Sequence, residues 1–261
     1  MKKIHLGRHL FGLSAILFGV ITLVWHDFNG WQQIGNVPHR EMLAYIAGAI
    51  EILGGIGVQW PGTERIGAVA LGGIYLIFAL LWVPRIIAEP LVYDRWGNLF
   101  EQCSQVAGAL IVYAAFAPIH SKRATRFARA GYISFGICVI SFTLEQLFYL
   151  SGTAEFVPKW IPPGQRFWAV TTTIAFALAA IALLSGRSAL LASQLLTVMI
   201  IAFGLLVWVP TPFADAHKLI NWAGIAENFS IAGAAWIVTD FLSQNGAPWM
   251  IGHAAGETDR S

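Results

Sequence analysis

Hydrophobic positions in this chain run in long unbroken blocks, with polar residues gathered between them. Apolar windows of helix length fall at about 9–26, 42–60, 66–83, 98–117, 129–150, 167–185, 188–209 and 219–242. Each is close to the roughly 20 residues that a helix needs to cross a hydrocarbon core about 30 Å thick. The pattern predicts an all-α integral membrane protein with eight transmembrane helices. The fourth and eighth windows open on polar residues, "NLFEQCSQ" and "LINWAGIAEN". Glycines are dense in others ("AGAIEILGGIG", "GAVALGG"), as happens where membrane helices approach closely.

The blocks also repeat. The stretch "LWVPRIIAEPLVYDRWGNLFEQCSQVAGALIV" (81–112) aligns without a gap with "VWVPTPFADAHKLINWAGIAENFSIAGAAWIV" (207–238). Trp82, Pro84, Trp96, Glu101 and Ser104 recur as Trp208, Pro210, Trp222, Glu227 and Ser230. The earlier halves match more weakly, through "NVP" (36–38) with "FVP" (156–158) and Gly12 with Gly131. The chain therefore reads as two four-helix units, 1–120 and 121–243, followed by a polar tail, 244–261. An even number of spans per unit gives both the same orientation, so these are parallel repeats about an axis along the membrane normal. Pro84 and Pro210 are expected to end the third helix of each unit.

Composition sharpens the class. The chain is 57% hydrophobic and 11% charged, against about 25% charged in soluble domains. A net charge of +2 without a long basic run offers no nucleic-acid surface. Cys103 and Cys138 stand outside any CxxC pattern, which removes the usual zinc and dithiol signatures, and the scattered histidines supply no metal site. The opening "MKKIHLGRHLFGLSAILFGVITLVW" has the basic start and apolar run of a secretory signal but no small-x-small cleavage site, and reads as a retained first helix. Lys and Arg gather on the side of the N-terminus, above all in the segment "HSKRATRFARAG" (120–131), read as a loop. That side is expected to be cytoplasmic, with both termini inside. Acids and most tryptophans collect on the other face, which has the longer loops.

Within the spans, Glu51 is the residue that demands an explanation. A carboxyl at the centre of a membrane helix costs roughly 2.5–3.5 kcal/mol on insertion scales. At 100° per residue, Ala44, Ala47, Gly48, Gly54, Gly55 and Val58 share its face, so it points at other helices rather than at lipid. There it must either carry its proton or meet a donor. Glu101 and Glu227 sit about a turn inside the fourth helix of each unit, behind Trp96 and Trp222. Asp94, Asn98, Glu101, Ser104, Gln105 and Gly108 form one polar stripe. Glu51 is expected about 13 Å below the outer boundary, with Glu101 and His26 above it, so that the three form a graded polar path. Each of Glu101 and Glu227 is expected to face the interior of its own bundle. The candidate ligand-binding residues are thus Glu51, Glu101, His26, Asn98, Gln105, Trp96, Glu227 and Trp222.

The first unit resembles the DoxX family of small four-helix membrane proteins. The likeness rests on "GRHLFGLSAILFGV", on "LAYIAGAIEILGGIGV" with Glu51, Gly54 and Gly55 on the family's E-x-x-G-G pattern, and on the short turn "PGTERIG" that follows. It covers about 8–117; residues 129–240 look like a degenerate copy without the glutamate, where Ala175 to Ala177 fall near the equivalent place. The resemblance implies a bacterial cytoplasmic membrane and, through relatives that are subunits of a thiosulfate:quinone oxidoreductase, a role beside a redox partner. Three readings follow. The chain is a membrane subunit that binds quinone or another apolar ligand for a redox partner, or a carrier of a small solute or lipid, or a structural scaffold. No autonomous catalytic motif is visible.

Overall fold

The structure is a computed structural model and describes residues 6–27, 38–118 and 121–246. The descriptions below concern those residues; Trp31, the "NV" of the first "NVP", His120 and the tail from residue 247 lie outside them. The helices are α1 (Leu6–Trp25), α2 (Arg40–Gln59), α3 (Glu64–Ala88), α4 (Tyr93–Ala115), α5 (Lys122–Phe148), the short α6 (Leu150–Phe156), α7 (Gln165–Ser185), α8 (Ala189–Phe203), a π-turn (Gly204–Trp208), the short α9 (Thr211–Ala214) and α10 (Leu219–Asn245). Six segments are long and apolar enough to cross a membrane, as an integral membrane protein requires: α1, α2, α3, α5, α7 and α8 continued to Ala214.

The long helices pack in a closed ring. Each touches the next in the order α1, α2, α3, α4, α5, α7, α8, α10, and α10 returns to α1. Across the middle, α4 also touches α10. These two therefore have three long neighbours each, and they are the two whose composition falls short of a lipid-facing span. A helix enclosed by other helices can carry polar groups that a lipid-facing helix cannot.

Glycines set the closest approaches. A Cβ at Gly12 would stand 2.7 Å from the Gly55 carbonyl oxygen, and one at Gly55 would stand 2.5 Å from that of Gly12. Gly19 and Gly48 meet in the same reciprocal way two turns along, so α1 and α2 run antiparallel with backbones in contact. Between α2 and α3 the turn is Trp60-Pro61-Gly62-Thr63, closed by Thr63 N–H on the Trp60 carbonyl at 3.2 Å, with Gly62 at φ 89°. Proline followed by a positive-φ glycine is what a type II turn requires. Beside it, Arg8 of α1 pairs with Glu64 of α3 at 3.2 Å, both buried, and stacks over Phe116 at 4.9 Å.

Four local expectations are corrected. The basic segment after residue 121 is helix: Ser121 accepts the Ala124 N–H at 3.2 Å as an N-cap, and the Ala- and Arg-rich run continues straight into α5. Pro84 lies inside α3, which ends at Ala88; four residues earlier the freed carbonyl belongs to the exposed Leu80, and the helix continues with Glu89 N–H on the Arg85 carbonyl at 2.8 Å. Gly12 and Gly131 hold unlike contacts: Gly12 meets α2, whereas Gly131 meets Ala107 and Ile111 of α4. In α10 the helix also runs past residue 243, so Gln244 and Asn245 belong to its last turn.

Candidate functional site

Two polar groups lie along the contact between α4 and α10. The first occupies the space enclosed by α2, α3, α4 and α10. Glu51 is 1% exposed and its Oε2 has no hydrogen-bond partner. The adjoining Gly54 and Gly55 explain its enclosure, since Gly54 admits Leu71 of α3 and Gly55 admits the backbone of α1. Tyr75 of α3, fully buried, places its hydroxyl beside Ser230 and within electrostatic reach of Glu51 and Glu227. Gln102 Nε2 donates to Glu227 Oε1 at 2.8 Å, and Ser230 Oγ donates to Gln105 Oε1 at 2.8 Å. Gln102 Oε1 and Gln105 Nε2 are buried without partners, and the Tyr75 hydroxyl has Ser230 beside it. Buried polar atoms are nearly always satisfied, so this concentration of open donors and acceptors is unusual.

The second group surrounds a cavity of about 160 Å³ between α4, α5, α7, α8 and α10. Glu101, Glu145, Gln146 and Asn228 supply its polar wall; Phe142, Phe176, Ile200, Phe203 and Ile231 supply the rest. Glu145 lies against the bare Cα of Gly97, and Asn228 Oδ1 lies against Gly204. Glu145 Oε2 and Asn228 Oδ1 are buried without partners. Gln146 is fixed by the hydroxyls of Thr172 and Thr173 at 3.2 and 3.1 Å. Gly204 also begins the π-turn, whose wide hydrogen bond runs from Val209 N–H to the Gly204 carbonyl at 2.8 Å. Such turns recur at functional sites. A lipid-facing groove of about 380 Å³ lies between α7, α8 and the π-turn, and shares Phe203 and Thr172 with the cavity or its supports.

These placements redraw the predicted path. Glu101 faces α5, α7 and α8, which the sequence reading assigned to the second unit, and Glu227 meets Gln102 of α4. Each glutamate thus looks across the centre rather than into its own bundle, because α4 packs on α5 and α10 packs on α1. His26 is not above Glu51 on a shared path: it is half-exposed and held by Glu41 at 3.2 Å and by Tyr45, at the N-terminal end of α2. Ten residues of helix separate Glu41 from Glu51, about 15 Å. Asn98 donates to the Asp94 carbonyl at 2.7 Å. Trp96 and Trp222 donate to the carbonyls of Pro90 at 3.1 Å and Ala216 at 3.0 Å, as Trp168 does to Pro162 at 2.9 Å. In each case an indole at a helix start braces the loop six residues behind it. Trp96→Phe is expected to cost about 1 kcal/mol, the worth of one such bond, in a thermal melt, while leaving occupancy of the cavity unchanged; an equal loss of ligand binding would contradict the bracing role.

Sequence reasoning passed over Tyr75, Gln102, Glu145, Gln146 and Asn228. The signal for Glu145 was the one applied to Glu51, a carboxyl inside an apolar window. Gln102 and Asn228 directly follow the repeated glutamates. Among the described residues, no cluster of His, Cys, Asp or Glu could hold a metal. The chain matches no family model, no curated protein and no solved structure.

Proposed function

We propose that this integral membrane protein binds an apolar ligand with a hydrogen-bonding ring head, a quinone being the type, in the cavity beside Glu101, and does so for a redox partner protein. The observation that carries the reading is the composition of that cavity: three phenylalanines face two carboxyls and two amides. A cavity of roughly 150 Å³ accommodates a benzene ring, so the volume suits one six-membered head. The groove behind Phe203 suits an apolar tail reaching in from the lipid.

The proposal includes a DoxX-like build with an internal duplication, eight crossings, and both termini at the cytoplasmic face of a bacterial membrane. Several correspondences support the duplication. Buried positions 44, 48, 51, 55 and 58 of α2 parallel 169, 173, 176, 180 and 183 of α7, and 64, 68, 71, 75 and 79 of α3 parallel 189, 193, 196, 200 and 204. In α1 and α5, Gly7, Phe11, Gly12 and Phe18 parallel Gly131, Phe135, Gly136 and Phe142, all buried. Beyond Gly204 the register slips by one, pairing Trp82 with Trp208, and a π-turn is what inserting one residue into a helix produces. Gly108 and its counterpart Ala234 touch, a Cβ at the glycine standing 3.0 Å from that of the alanine, as residues near a two-fold axis do. In this register Glu51 and Tyr75 correspond to Phe176 and Ile200, so one site is filled with polar groups and the other is an aromatic cavity.

A second reading, a carrier of a small solute, draws on the first group, where Glu51, Gln102 and Gln105 keep open polar atoms inside the membrane. A decyl-substituted benzoquinone added to the purified protein distinguishes the readings. Binding is expected, read by quenching of tryptophan fluorescence and by thermal shift. Asn228→Leu and Glu101→Gln should each weaken it about tenfold, the loss of one charge-assisted or buried hydrogen bond. Equal binding by parent and both variants would overturn the cavity assignment. Solute flux in proteoliposomes that stops with Glu51→Gln, without quinone binding, would favour the carrier.

A further inference from the structure

A second groove, of about 400 Å³, opens on the other side of the molecule between α3, α4 and α5, and has a different chemistry at its end. Its floor is made by what is missing. Gly72 lies against Ala109, and a Cβ on Gly73 would meet nothing within 4 Å. From Ala68 to Leu76 the trough follows α3 for about 12 Å. At one end stand Arg123, which lines it and is exposed, and Arg65, whose Nη2 donates to Tyr113 Oη at 2.6 Å while its guanidinium lies 4.5 Å over the Tyr113 ring. No carboxylate among the described residues pairs with either arginine, and Arg65 Nε is buried without a partner. The nearest acid along α3, Glu64, is taken by Arg8. Lys122 and Arg126 add further exposed basic charge on the same helix end.

We propose that this groove is a binding site for one anionic phospholipid, with an acyl chain along the Gly72–Gly73 trough and the phosphate between Arg65 and Arg123. The trough alone is ordinary lipid-facing surface, and the arginines alone would be ordinary interfacial charge. Their union in one groove selects a molecule that is apolar along about 12 Å and anionic at one end. Arg65 is held in position by Tyr113, so its fork presents to a phosphate without further ordering. On the duplication reading, the matching places in the other half are Leu190, Thr197 and Val198, which supply neither the charge nor the open floor. The site is therefore particular to the first half. It does not depend on the quinone cavity, whose lining it does not share.

The test uses the full chain, purified in a zwitterionic detergent and titrated with phosphatidylglycerol, phosphatidylcholine or inorganic phosphate. Native mass spectrometry counts retained lipid and a thermal melt reads stabilisation. Retention of one phosphatidylglycerol is expected, with phosphatidylcholine bound at least tenfold more weakly. Arg123→Gln should weaken retention about fivefold, the usual contribution of one basic residue near anionic lipid, and because Arg123 is exposed the variant keeps the fold. Gly73→Val, which puts the other half's residue into open space, should weaken it at unchanged net charge. Equal binding of both lipids, or indifference to both variants, overturns the proposal. Stabilisation by inorganic phosphate equal to that by phosphatidylglycerol also overturns it, since the site would then read the anion without the chain.

Discussion

Gly55→Val is expected to remove the folded protein, or to lower its stability by about 3 kcal/mol or more, the upper end of overpacking costs. The reason is that the contact is backbone on backbone. A Cβ at Gly55 would stand 2.5 Å from the Gly12 carbonyl oxygen and 2.8 Å from Ile16, and valine adds two methyl groups beyond that Cβ. A side chain can turn aside, but a helix backbone cannot move without opening the whole α1–α2 interface. That interface carries a second reciprocal pair, Gly19 with Gly48, so relief at one end strains the other. Separation of α1 from α2 would also unseat Gly54 and Glu51, which depend on α2 being held between α1 and α3. Gly73→Ala supplies the control, because its Cβ enters open space; it should melt within about 0.5 kcal/mol of the parent. The comparison is made by size-exclusion profile and thermal unfolding in one detergent. A Gly55→Val protein with the parent's melting temperature would show that the two backbones do not touch as described.

The glycine pairs were legible in sequence as small residues on the face of Glu51, but their partners were not. Periodicity shows which side of a helix avoids lipid; it does not say which helix covers that side. For that reason Glu51 was placed correctly on an enclosed face while the company assigned to it was wrong. His26 looked close because it ends the preceding helix, yet it is held at the surface by Glu41 and Tyr45. Glu101 was assigned to its own unit from the polar stripe and the offset it shares with Glu227. Here α4 packs on α5 and α10 packs on α1, so the last helix of each unit expected from sequence meets the first helix of the other, and only tertiary structure decides that exchange. The weak hydropathy of α4 and α10 was a real trace of the same fact, since the polar windows are those with the most long-helix neighbours. The basic run after Ser121 misled in the opposite sense: charge was taken as loop, whereas alanine and arginine are good helix formers and a serine cap starts them. The π-turn left no mark in the gapless alignment of 81–112 with 207–238, because the register slip lies upstream of the residues that match.

The most informative single substitution is Glu51→Leu, and it is expected to stabilise the protein. A buried polar group without a partner costs about 1–3 kcal/mol, and Glu51 Oε2 is in that state at 1% exposure. Leucine is of similar size, suits the apolar residues on this face, and removes the cost. Tyr75→Phe should change stability less than Glu51→Leu, since the tyrosine hydroxyl has Ser230 beside it. The two residues belong to one enclosed polar group, so their effects should fall short of additive by more than about 0.5 kcal/mol. Glu51→Gln should leave the melting temperature little changed, because an amide there keeps a polar group in the same surroundings. Thermal unfolding of the three single variants and the double variant decides the matter. If Glu51→Leu melts lower than the parent, Glu51 is a hydrogen-bonded brace between helices and the enclosed group is satisfied. If it melts higher while quinone binding in the Glu101 cavity is unchanged, Glu51 is held at a cost that folding alone does not require, and the first group has a task separate from that of the cavity. Proteins retain such costs where a polar group acts inside the membrane, so the stabilised variant is also the one in which any solute flux should be lost.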